Sequence, residues 1–163
     1  MSLIDKIEDP TLSQIEKAAT QRFAEAVWLV EGRHRLAAVY FFGYVVEIVL
    51  CLAYFRMKDS SPMVPIKSKD VNQAFKAAKS RNKTNGNKAH PIDGWAKLLI
   101  EEQRSLHPPP FDEKLVLLIR ERVSAIVDLW RPTLRYQSFD VSEEQVNAAR
   151  HAADWFLKNS SRL

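Results

Sequence analysis

Apolar residues recur along this chain at three- and four-residue steps, separated by polar and proline-containing links. Leu12, Ile15, Ala19, Phe23, Ala26, Val27 and Val30 form one such stripe, which predicts an amphipathic helix of about twenty residues. Glu31-Gly32-Arg33 breaks it, and a break that short folds the next helix back antiparallel. That next stretch, Leu36 to Phe55, has no polar face: Glu47 is the one charge among its twenty residues. As a helix it is about 30 Å long, and an apolar surface running all round must be covered by other helices or by lipid. Further on, Val71, Ala74, Phe75 and Ala78 share one face of a short helix, with Lys69, Lys76 and Lys79 elsewhere on it. Ile92, Trp95, Leu99 and Leu106 mark a helix over 91–106, ended by Pro108-Pro109-Pro110. Leu115, Leu118, Ile119, Val123, Ile126 and Trp130 mark the next, whose start suits Asp112 and Glu113 through the helix dipole. After a connection over 133–141, Ser142-Glu143-Glu144-Gln145 is a capping box. It opens a last helix with Val146, Ala149, Ala153, Phe156 and Leu157 inside.

The pattern predicts an all-α, antiparallel up-and-down helical bundle of four or five long helices plus one short one, built around the second helix. The 163 residues suit a single domain, with residues 1–9 as an N-terminal tail. Asp9-Pro10-Thr11 offers a cap and a proline suited to a first turn, and Ser68 offers a cap for the short helix. Composition agrees: there are only four glycines, and no β-alternating run stands out. Hydrophobic residues make up 46% and charged residues 27%, ordinary for a globular protein. The apolar stretch has the length of a membrane span and basic flanks, Arg33 and Arg35 before, Arg56 and Lys58 after. Glu47 at a bilayer centre would cost about 3 kcal/mol, and the amphipathic helices would lose their partner. The expectation is a core helix and no membrane.

Cys51 is the single cysteine, which excludes an intramolecular disulfide and fits a reducing cytosol. The first ten residues show no basic segment followed by an apolar one, so no signal peptide is expected and the reading is cytoplasmic. The net charge of +4 is unevenly placed. Residues 1–66 carry seven basic against eight acidic side chains, whereas 67–88 carry seven basic side chains against Asp70 alone. Residues 80–89 read as an exposed basic loop. Lys76, Lys79, Arg81, Lys83 and Lys88 are the candidate contacts for phosphate. No aromatic residue is interleaved in the loop, so base stacking is not indicated there.

Glu47 needs a partner, since a carboxylate buried alone is expensive. The histidines at 34, 90, 107 and 151 are dispersed, and no Cys/His/Asp spacing reads as a metal site. No Gly-rich phosphate loop, Gly-x-Ser-x-Gly motif or carboxylate pair is present, so no cofactor is indicated.

Several pieces together resemble the HEPN domain, the helical bundle of "higher eukaryotes and prokaryotes nucleotide-binding" proteins. Ala26–Arg33, AVWLVEGR, resembles the end of that family's first helix and its turn. Tyr40–Leu50, YFFGYVVEIVL, is similar to its second-helix signature, an aromatic followed by Gly-Tyr-x-x-Glu. His90 before an apolar helix, and Trp130-Arg131-Pro132-Thr133-Leu134-Arg135-Tyr136 before a capped final helix, resemble its later elements. The resemblance spans residues 12 to 160. It implies an antiparallel bundle, commonly dimeric, and a buried pair of Glu47 with Arg135, near Tyr44 or Tyr136. Some members pair with a minimal nucleotidyltransferase; others are ribonucleases, toxins among them, that carry an Arg, four to six residues, then a His. Here no histidine has an arginine at that spacing; Lys83 stands seven before His90, but it is a lysine.

The expected function is therefore a non-catalytic binding or interaction module for a nucleotide, RNA or a nucleotide-handling protein, and a homodimer. The alternatives are a divergent metal-independent ribonuclease, with His90 as acid or base and Arg135 or Arg131 on phosphate, and a purely structural subunit.

Overall fold

The computed structural model describes residues 9–58, 61–82, 90–130 and 132–163. Among them the helices are α1 Leu12–Glu31, α2 Arg35–Met57, α3 Ser68–Arg81, α4 Ile92–Ser105, α5 Glu113–Val127 and α6 Glu143–Lys158. A 3-10 turn, Pro132–Tyr136, lies between the last two. The fold is an all-α bundle. The basic helix α3 is not short: it has 14 residues, as many as α4.

Local chemistry sets three of the six helix starts. Thr11, not Asp9, caps α1; its hydroxyl accepts from the Gln14 N–H while the Gln14 side chain accepts from the Thr11 N–H. Ser142 and Gln145 form the predicted capping box of α6. Asp112 caps α5 by accepting from the Leu115 N–H at 2.7 Å. For α3, Ser68 is the first helical residue rather than its cap. Asp9, 59 residues away, accepts from the Ser68 N–H at 3.1 Å and from its hydroxyl.

The α1–α2 turn closes by backbone bonds, Gly32 N–H to Trp28 C=O at 2.9 Å and His34 N–H to Leu29 C=O at 2.7 Å. Its left-handed residue is Arg33, with φ 63°, rather than Gly32. Contact pairs then fix the sense of each helix. Glu47 meets His90, Tyr54 meets Trp95 and Lys58 pairs with Glu102, so α4 runs beside α2 in the same direction. Arg35 faces Glu143, and Arg56 donates to the Ser160 carbonyl at 2.6 Å, so α6 does too. α1 and α5 run the other way. The chain between α2 and α4, with α3 in it, is the return that lets two parallel helices lie side by side.

α2 is the axis. Twelve of its residues are buried, from Ala38 to Phe55, and α1, α4 and α6 cover it. By length and composition this helix could cross a bilayer; here its apolar surface is covered by protein. Two glycines exist because other groups occupy their side-chain space. A Cβ on Gly43 would stand 2.1 Å from Trp130 Cδ1, and one on Gly94 would stand 1.9 Å from the Ala78 carbonyl oxygen. Buried Gln103 is satisfied, its Oε1 accepting from the Phe111 N–H at 3.3 Å.

Candidate functional site

The helical period places Tyr40, Tyr44 and Glu47 along one side of α2. Trp130, three residues past α5, lays its indole on Gly43 and donates its Nε1–H to the Tyr40 carbonyl at 2.8 Å. The Tyr40 and Tyr44 hydroxyls are 3.0 Å apart. His90 enters from the segment just before α4. Its ring meets Tyr44 at 5.2 Å and Trp130 at 5.6 Å, both edge-on. His90 Nδ1 lies 2.8 Å from Glu47 Oε2.

This pairing answers how a carboxylate sits in the apolar helix. The Glu47 side chain is 11% exposed and that of His90 is 25% exposed, so the carboxylate is inside and one imidazole edge reaches solvent. In the tautomer that carries its proton on Nδ1, His90 donates to Glu47 and Nε2 is left as the acceptor. A carboxylate that fixes an imidazole in this way sets its tautomer and orientation, an arrangement that serves structure and proton transfer alike.

Among the described side chains the partner of Glu47 is His90; the expected contact with Arg135 falls on a side chain that is not among them. Arg135 lies in the 3-10 turn, and its side chain, like Arg131, lies outside the described residues. Tyr136 is exposed, whereas Tyr44 lies in the cluster. His90 was legible only as a histidine opening an apolar helix. Nothing local in 43 residues of separation ties it to Glu47.

The basic segment divides. Lys76 and Lys79 stand exposed on α3. Arg81 ends α3 rather than belonging to an 80–89 loop, and it is engaged: its Nε donates to Glu101 at 2.6 Å and its Nη1 to the Ala77 carbonyl at 2.9 Å. Lys83 and Lys88 lie outside the described residues. One turn from Glu47, burial pushes the Cys51 thiol up to about 12, with the Glu47 charge adding to the shift. A thiol raised in this way is a poor nucleophile, and Cys51 packs half-buried against the core. Among the described residues no group of three or more His, Cys, Asp or Glu is placed to hold a metal ion.

Comparison of the chain with protein-family models, with curated proteins and with solved structures finds no match.

Proposed function

We propose that this chain is a HEPN-like, non-catalytic binding module for single-stranded RNA or a nucleotide, cytoplasmic and self-associating, with a nucleotidyltransferase-like protein as a possible partner class. The observation that carries the reading is the face of α3. Lys69, Lys76 and Lys79 are exposed on the helix, Lys67 is exposed at its N-cap, and Asp70 is the one acid of the helix. Exposed lysines that neutralise phosphates release counterions, which makes such binding steeply salt-dependent. The test is a titration of labelled single-stranded RNA at low and moderate salt. Lys76→Gln with Lys79→Gln is expected to weaken binding and to flatten its salt dependence by about 1.4 in log–log slope, as two lost phosphate contacts require. Unchanged affinity and slope would sink the reading of this face.

A second reading, a divergent ribonuclease, is favoured by the Glu47–His90 pair, because a carboxylate-held imidazole with one accessible edge can exchange a proton with a ribose hydroxyl. Each titrated sample run on a denaturing gel separates the two. Intact RNA supports the binding module. Shortened RNA that is restored to full length by His90→Ala would make the chain an enzyme.

A further inference from the structure

At the end of the bundle formed by the α1–α2 turn, two neighbouring clefts share Arg33, Arg35 and Asp140. One, of about 560 Å³, is lined also by His34, Tyr40 and Phe139. The other, of about 640 Å³, is lined also by Glu143, Asn147 and Arg150. Three features here go beyond what the fold needs, since the α1–α2 turn requires a left-handed residue at position 33 but not an arginine. Among the described residues Arg33 and Arg150 have no carboxylate partner, and Arg35 has only a loose one, Glu143 at 3.8 Å. Phe139 is 54% exposed in a polar connection. Arg33 holds a left-handed backbone, φ 63°, that glycine would adopt with less strain. Strained backbone of this kind is retained where the side chain has work to do.

Cations along a groove and an exposed aromatic ring beside them are the two ingredients of single-strand recognition: charge tracks the phosphates and a ring stacks on a base. Here Arg33 and Arg35 line both clefts, with Phe139 in one and Arg150 in the other. The two acids of the groove, Asp140 and Glu143, leave its three arginines one positive charge in excess. Asp140 accepts from the Val141 N–H at 2.9 Å, and Glu143 lies 3.8 Å from Arg35. We infer that this groove binds single-stranded nucleic acid, with phosphates on Arg33, Arg35 and Arg150 and a base stacked on Phe139. The inference rests on the RNA-binding reading above, but it names a different surface from α3 and supplies the stacking that the basic segment lacks.

The probe is a fluorescein-labelled oligouridylate of about a dozen nucleotides, a length that one such groove accommodates. It is titrated over a salt series into the full chain and three variants. Phe139→Ala is expected to weaken binding by roughly tenfold with an unchanged salt slope. Arg33→Gln with Arg35→Gln is expected to lower the slope by about 1.4. Arg33→Gly is expected to raise the melting temperature and yet weaken binding, which a purely structural arginine would not do. If binding is lost in the Lys76/Lys79 variant and kept in all three groove variants, this inference fails and the α3 reading stands. If the reverse is seen, the groove is the site and the α3 reading fails. No oligouridylate binding by the unmodified chain at low salt overturns both.

Discussion

The contact between Gly43 and Trp130 gives the sharpest test of how this bundle is held, because two principles predict opposite signs for Gly43→Ala. Helix propensity alone makes alanine better by about 1 kcal/mol at an interior helical position. Packing says otherwise. The added Cβ would stand 2.1 Å from Trp130 Cδ1 and 2.2 Å from Nε1, against about 3.5–4 Å for a carbon contact at its optimum. The indole must therefore shift by roughly 1.5 Å. Trp130 is wholly buried, with Tyr40 and Tyr44 against it, so it cannot swing into solvent. The shift stretches the 2.8 Å bond from Nε1 to the Tyr40 carbonyl, a loss of about 1 kcal/mol. Overpacking adds about 1–3 kcal/mol. After the propensity gain, the net is a loss of about 2 kcal/mol, or roughly 4–8 °C in melting temperature for a domain of this size. Thermal melts followed by circular dichroism measure it directly. The same substitution in a Trp130→Phe background, with a smaller ring over the site, should cost less. A Gly43→Ala protein that melts higher than the parent would refute the packing argument and leave propensity in charge.

Three further outcomes are expected. Glu47→Gln and His90→Gln, made singly and together, should be non-additive by about 1–3 kcal/mol in urea unfolding, since the two groups share one bond; additive losses would mean that they do not meet. Cys51 should resist a thiol reagent at pH 8 until the chain unfolds. Its thiol is raised from 9.0 to about 12 in the fold, so the folded state holds the proton more tightly than the unfolded state. That contribution is complete below pH 9 and is lost as pH rises toward 12; Cys51→Ala should flatten this part of the stability profile, and an unchanged slope would count against it. Asp9→Ala, which removes the acceptor for the start of α3, should cost about 1 kcal/mol, and hydrogen exchange should quicken in α3 without quickening in α1; faster exchange in α1 instead would return Asp9 to the role of a cap for that helix.

The sequence by itself determined the helices. The stripes of α1, α5 and α6, the Ser142–Gln145 box and the apolar α2 are short-range patterns, and helix formation is governed by residues three and four apart. It also determined that Glu47 needed a partner, because burying a carboxylate alone is prohibitive whatever surrounds it. Which partner was a matter of tertiary structure. His90 and Glu47 meet across 43 residues, and no local spacing encodes that meeting. The same holds for Asp9, whose position before a helix read as a local cap until the fold carried Ser68 to it, and for Arg81, where the exposed α4 residue Glu101 took up a charge that composition alone counted as available for a ligand. The groove at the α1–α2 turn shows the limit most plainly. Arg33 and Phe139 lie 106 residues apart and share a cleft only because α6 runs parallel to α2 and brings its leading connection to the same end of the bundle. Periodicity specifies which face of a helix is buried; the pairing of faces is decided by packing of the whole chain, and sites made of distant residues are decided with it.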